Sequence, residues 1–198
     1  MWISPTLTLA NDHVRLEPLS VAHTPELQRA VGDLSEAFWT STPTPEGMHA
    51  DIEGKLQRRD TGAMIPFAVR SAFTGEALGV TAYYDLQPEV PHLEIGYTWI
   101  SADAQGTDTN PAMKLLLLEH AFETLGCEAV GIRTKWSNQQ SQRAIEKVGF
   151  KLDGIIRASA RLRNGVLDDQ VLYSMVKSEW PAVKAGLECR ITGSKTLV

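Results

Sequence analysis

Cysteine is scarce. The chain has two, Cys127 and Cys189, among 198 residues, with no metal or redox spacing. That excludes a disulfide framework and reads as buried or incidental thiols in a reducing compartment. The five histidines, His13, His23, His49, His92 and His120, show no ligand spacing, so no metal is expected. An excess of positive charge is also missing. Nineteen Lys and Arg stand against 24 Asp and Glu, for a net charge of −5. This argues against a nucleic-acid surface. No apolar run approaches membrane-spanning length. The start, Met1-Trp2-Ile3-Ser4-Pro5, lacks the basic and apolar stretches of a signal peptide. The expectation is a soluble cytoplasmic protein with neither nucleic acid nor membrane as a partner. Repeats and low-complexity segments are absent. So are a G-x-G-x-x-G, a P-loop lysine, a nucleophile elbow and a Ser-His-Asp order. Their absence argues against a nucleotide-binding βαβ unit and against covalent catalysis.

What remains is an ordinary globular composition, 43% apolar and 22% charged, at a length that suits one domain with a sizeable core. Leu7 to Glu17 reads as a strand, broken by turn chemistry at Asn11-Asp12. Ser20 caps a helix from Val21 to Val31, and Leu34 to Trp39 reads as a short helical turn. Thr40 to Pro45 is a proline-rich loop. The polar helix Glu46 to Arg59 has only a narrow stripe of Met48, Ile52 and Leu56, so it belongs on the surface, flanking a site. Three strands follow, Ile65 to Arg70, Ala77 to Leu86 and His92 to Ile100, with short turns that make an antiparallel meander. In the third, Leu93, Ile95, Tyr97 and Trp99 alternate strictly with Glu94, Gly96 and Thr98. Pro111 to Leu125, closed by Gly126, is apolar around most of its girth and therefore a buried helix. Glu128 to Trp136 is the next strand, and a right-handed crossover makes it parallel to the strand ending at Ile100. Ser137 or Asn138 caps a helix to Val148, ended by Gly149. Phe150 to Arg163 and Val166 to Val176 form a hairpin on Asn164-Gly165. A last helix runs from Ser178 to about Cys189, and 190–198 is expected to fray. The whole is one α/β domain with its core at about 7–187: a mixed, mostly antiparallel sheet with one parallel crossover.

The stretch Trp99 to Pro111 joins the alternating strand to the buried helix. A strand that ends in a small polar loop and opens a helix is a phosphate-cradle geometry. The first amides of a helix lack internal partners and the dipole adds positive charge there. Asn110 suits the N-cap and Pro111 the first helical position. On local sequence alone an ordinary strand-to-helix turn is the favoured reading.

Three passages, in this order, resemble the GNAT superfamily of acyl-coenzyme A N-acyltransferases, and within it the ribosomal-protein alanine acetyltransferases of the RimJ/RimL type. They are Leu93-Glu94-Ile95-Gly96-Tyr97-Thr98-Trp99-Ile100, the Gln105 loop with its helix, and Asn138-Gln139-Gln140-Ser141 followed by a helix and Gly149-Phe150. The resemblance covers roughly Leu7 to Leu187. It implies a sheet in which the central strand and the following parallel strand splay apart. It also implies acetyl-CoA as co-substrate. The pantetheine arm would pair with backbone near Trp99 and Ile100, and the diphosphate would rest on Gln105, Gly106, Thr107, Asp108, Thr109 and Asn110. Asn138 and Ser141 would lie near the thioester. The loop departs from the family's Q/R-x-x-G-x-G/A: Asp108 and Asn110 stand where glycines belong. A carboxylate near a diphosphate is repulsive unless it points to solvent or to a cation. Lys114 is a candidate partner for Asp108. Arg143 and Lys147, four apart, could offset phosphate charge or form a solvated helix face.

Acetyl transfer needs an amine held beside the thioester, a route for its proton, and stabilisation of developing charge. Glu94 is the candidate base; the other reading puts it on the polar face of a half-exposed strand. The family's acidic tyrosine is replaced by Ile145, so Ser141 is the candidate that hydrogen-bonds the sulfur, unless it is only a first-turn serine. Tyr173 is a weaker alternative, and His120 reads as a core or rim histidine. Phe38, Trp39 and Tyr84 are candidates for the acceptor pocket, although the favoured reading of Phe38 and Trp39 is that they pack the first helices onto the sheet. The implied function is acetyl transfer from acetyl-CoA to a primary amine, either a protein N-terminus or a small molecule. The competing reading is a non-catalytic acyl-CoA-binding module. Homodimers are common among similar proteins, and the terminal hairpin offers a surface for one.

Overall fold

The computed structural model describes residues 2–37 and 40–193. Two short strands, β1 (Leu9–Ala10) and β2 (Val14–Pro18), precede the helices α1 (Thr24–Val31) and α2 (Met48–Asp60). The meander follows as β3 (Met64–Ser71), β4 (Ala77–Gln87) and β5 (His92–Ile100). Helix α3 (Thr109–Glu119) crosses to β6 (Ala129–Lys135). Then come α4 (Gln139–Val148), the hairpin β7 (Lys151–Arg161) and β8 (Leu167–Val176), and α5 (Trp180–Gly193). The strands form one sheet in the order β1-β2-β3-β4-β5-β6-β8-β7. Among the described residues β5 and β6 are the parallel pair and every other pairing is antiparallel. The fold expected from the three passages is the fold observed.

Each face of the sheet buries a separate apolar layer. On one, α3 and α5, with Ile145 and Val148 of α4, cover Phe67, Tyr83, Leu93 and Ile95. On the other, Leu27, Val31, Met48 and Ile52 from α1 and α2 cover Ala68, Val80 and Trp99. Helix ends follow local chemistry. Asn138 caps α4 by accepting the Ser141 amide at 3.0 Å, and Gly149 ends it at φ +115°. Some limits differ from the sequence pattern. Val21–His23 is a single 3-10 turn ahead of α1. The buried helix turns into a π-helical segment at His120–Thr124 before Gly126. The last helix continues past Cys189 to Gly193, because Ile191 is buried in the core rather than frayed.

The central strand carries the main surprise. Val80 pairs with Trp99 and Ala82 with Gly96, so two steps on β4 face three on β5. The extra residue is a β-bulge, with Tyr97 at φ +53°. A bulge shifts the parity of every later side chain. Leu93 and Ile95 therefore enter one core while Trp99 enters the opposite one, and Tyr97 is exposed. The unbroken alternation in the sequence does not survive.

Beside the bulge, β4 and β5 approach so closely that a Cβ on Gly79 would lie 2.0 Å from the Trp99 carbonyl oxygen. Gly79→Ala must push the strands apart. Overpacking of this kind costs about 1–3 kcal/mol, and a chain of this size loses roughly 2–4 °C of Tm per kcal/mol. The expected outcome is a Tm lowered by several degrees in a thermal melt; an unchanged Tm would show that the strands yield freely.

Candidate active site

Strands β5 and β6 pair only at His92–Ala129, Leu93–Val130 and Glu94–Gly131. Beyond that rung they diverge, leaving Ile95–Ile100 and Ile132–Lys135 without a shared ladder. The gap opens a cleft of about 1880 Å³, lined by both strand ends, the Gln105 loop, α3 and α4. The expected splayed pair is present.

The loop is built differently from expectation. Its residue at positive φ is Gly106, at +76°. Asp108 is right-handed, at φ −74° and ψ −4°, and is itself the N-cap. The helix therefore starts at Thr109, Asn110 is its second residue, and Pro111 is its third, rather than Asn110 capping and Pro111 leading. No left-handed residue is needed at 108. The lining of the cleft includes Gln105, Gly106, Thr107, Thr109 and Asn110 but not Asp108. Two loop amides are already used: Gln105 N–H donates to the Ala102 carbonyl at 3.1 Å, and Thr109 N–H to the Thr107 hydroxyl at 3.2 Å. The Gln105 side chain ties the loop across the mouth, donating to the Ile100 carbonyl and accepting from Gln140 at 2.9 Å. Lys114, one turn into α3, is 6% exposed and lines the cleft.

Glu94 lies at the fork, on the last paired rung, and is 5% exposed. Both carboxylate oxygens are engaged. Tyr84 donates its hydroxyl to Oε2. Arg133 donates Nε to Oε1 at 2.6 Å, and its Nη2 reaches Oε1 and also Asp85. Two glycines make room: a Cβ on Gly131 would meet Glu94 Cγ at 2.9 Å, and one on Gly96 would meet the Tyr84 ring at 2.5 Å. Burial first, then the carboxylate, pushes the Tyr84 phenol far up, so it remains a donor. The hydrogen bond to Glu94 holds the Arg133 guanidinium up. Glu94 itself does not line the cleft; Tyr84 and Arg133 do. Tyr97 packs edge-to-face on Tyr84 at 5.1 Å, with the Arg58 guanidinium 4.9 Å from its ring centre.

On the opposite wall, Asn138 and Ser141 line the cleft with Ile145, Lys147 and Val148. The Asn138 side-chain oxygen accepts the Ser141 amide as the cap. Arg143 lies elsewhere on α4, outside the lining. Tyr173 is buried against Glu146, at 3.1 Å, and does not reach the cleft. His120 stacks on Tyr83, 5.9 Å between ring centres, and burial lowers its pKa. Phe38 and Trp39 lie outside the described residues. The pattern missed Arg133. Its signal was Gly131 beside a buried acid, visible only once β5 and β6 are paired.

A mixed sheet forked at its parallel pair, with a loop and a helix start at the mouth of the cleft, is the architecture that the three sequence passages implied. The profile of the acetyltransferase (GNAT) domain matches residues 13–151. The Bacillus subtilis (strain 168) protein YdaF, provisionally named a ribosomal N-acetyltransferase, is 31% identical over 181 residues, covering 88% of this chain and 97% of its own. A crystal structure from T. thermophilus, described as an acetyltransferase, is 36% identical, covers 96% of this chain and 100% of its own, and has a TM-score of 0.84. Mycobacterium smegmatis RimJ, solved with CoA-disulfide, shares the fold at 18% identity, with 95% of each chain covered and a TM-score of 0.78. The chain belongs to the GNAT family and is an acetyl-CoA-dependent acetyltransferase.

Arg133→Met leaves the Glu94 carboxylate buried with Tyr84 alone. The expected loss is roughly 1–3 kcal/mol, moderated because the Arg133 side chain is 36% exposed. Adding Glu94→Gln should recover most of it. Urea denaturation of both singles and the double reads this coupling; additive losses would show that the charges act independently.

Proposed function

We propose that the chain transfers acetyl directly from acetyl-CoA to a primary amine, with a protein N-terminal α-amine as the acceptor. The observation that carries this is the broken β5–β6 ladder. The pantetheine arm fits along the unpaired edge of β5, near Trp99 and Ile100. The diphosphate fits the loop and the start of α3, where free amides and the helix dipole favour an anion. The Ser141 hydroxyl, at the start of α4, donates to the sulfur as the C–S bond breaks. The amine attacks the thioester carbon, the C–N bond forms as the C–S bond breaks, and the departing thiolate takes a proton from solvent past the Ser141 hydroxyl while the amine's proton goes to the relay below.

Glu94 enters this scheme as the end of a relay rather than as a direct base, because both its oxygens are occupied. Tyr84 stands between it and the cleft. The amine's proton passes to the Tyr84 oxygen, directly or through water, while the Tyr84 proton shifts toward Glu94. An α-amine with a pKa near 8 is already partly neutral at cellular pH, so modest assistance suffices. The name given to YdaF and the net charge of −5 both support a basic protein acceptor. A non-catalytic module has lost its main argument, since the Asp108 backbone does not require glycine.

The test is thiol release from acetyl-CoA with a panel of N-terminal peptides and small amines. Peptide-dependent release is expected; coenzyme binding with no release for any amine would favour the non-catalytic module. Tyr84→Phe and Glu94→Gln should each lower kcat about tenfold to a hundredfold with KM for acetyl-CoA unchanged, and the double should be no worse than either single. Additive losses would remove the relay.

A further inference from the structure

Three backbone positions of the loop and the start of α3 offer no free donor to a diphosphate. The Thr109 amide is taken by the Thr107 hydroxyl, the Gln105 amide by the Ala102 carbonyl, and Pro111 has no N–H. Lys114 lies four residues after Asn110 and three after Pro111, on the same helix face. Helical side chains lean toward the N-terminus, so its stem carries the ammonium back over the first turn. The residue is 6% exposed and lines the cleft. Among the described residues no hydrogen bond or ion pair reaches its nitrogen. Its chain neighbours Ala112, Met113 and Leu115 to Leu118 are buried and apolar. A methionine would fill this space at lower cost, since an unpaired buried amine is expensive.

We propose that Lys114 is a phosphate-binding residue of the coenzyme site, its ammonium adding a full positive charge to what the remaining loop amides provide. The inference rests on reading the cleft as the acetyl-CoA site. Burial alone lowers the Lys114 pKa to about 7. Charged groups that line the cleft from the loop, α4 and α5 include Asp103, Lys147 and Arg190, with Asp108 at the cap. Strand β2 brings only Val14 and Leu16 to this core, and Lys184 of α5 is held by Glu119 and Glu123. At pH 8 Lys114 is mostly neutral in the free protein. A phosphate beside it restores the charged form, so binding draws a proton from solvent.

Titration calorimetry at pH 8, in buffers of different ionisation enthalpy, reads this directly. Coenzyme A binding to the wild-type protein should take up a large fraction of one proton. Lys114→Met should abolish the uptake, weaken coenzyme A binding about tenfold or more, and raise Tm, because it removes a buried amine. Repeating the titration with 3′-dephospho-coenzyme A separates the two phosphate positions: retained uptake assigns the contact to the diphosphate, lost uptake to the 3′-phosphate. Wild-type affinity and uptake in Lys114→Met would overturn the role of Lys114 while leaving the coenzyme site standing. Failure of the wild-type protein to bind coenzyme A would overturn that site as well.

Discussion

One extra residue in β5 sets the rest of the molecule. The bulge at Tyr97 leaves β5 paired to β4 along its length, yet turns it away from β6 after the Glu94–Gly131 rung. A parallel sheet normally continues its ladder, since unpaired backbone groups in an interior are costly. Here an edge of β5 and an edge of β6 are left open in the middle of the sheet, and a ligand with its own amides can complete them. The bulge also sends Trp99 into the second core, where it helps seat α1 and α2. The cleft and the two-layer packing thus have a common origin. A tyrosine at φ +53° is strained. Its neighbours hold it: Thr81 and Thr98 hydrogen-bond across the bulge at 2.8 Å, and Arg58 and Tyr84 pack on its ring.

The fork needs a polar group at its base, and Glu94 fills that place at a cost. A carboxylate this buried persists because Arg133 and Tyr84 satisfy it from the two strands on either side. Arg133 stands two residues past Gly131, the last residue of β6 paired to β5, so the ion pair spans the fork where the ladder ends. The pair acts as a clamp on the two strands at the point where they begin to part. It also aims the Tyr84 hydroxyl. The same three side chains join β4, β5 and β6 at the fork, and each is satisfied by the others, which offsets the cost of burying the acid.

Much of this was legible in the chain. Local turn chemistry gave away the hairpin at Asn164-Gly165, the Asn138 cap with Ser141 three residues on, and Gly149 behind it. The strand-loop-helix order implied the parallel crossover. What escaped was non-local or concealed by parity. The run Leu93, Ile95, Tyr97, Trp99 shows a perfect period of two, and a bulge leaves no mark in such a pattern when the flipped face is also apolar. Arg133 is 39 residues from Glu94, and no local rule links them. The final helix reads as ending near Cys189 because Ile191 looks like tail until the core that receives it is known.

The loop shows most clearly the difference between a motif and its physical cause. Asp108 occupies a glycine position of the family pattern, which suggests a damaged cradle. Glycine is demanded by backbone angle, however, and at −74° any residue fits; the positive φ has moved to Gly106. Side-chain charge is the separate problem. Asp108 sits at a helix N-cap, where a carboxylate is favoured by the dipole, and it stays out of the cleft lining. The dipole that would hold a diphosphate is thereby partly neutralised, and Pro111 removes an amide as well. A loop altered in these two ways holds an anion less strongly through its backbone and dipole alone. Lys114, buried one turn further on and lining the cleft, is one group placed to add charge there.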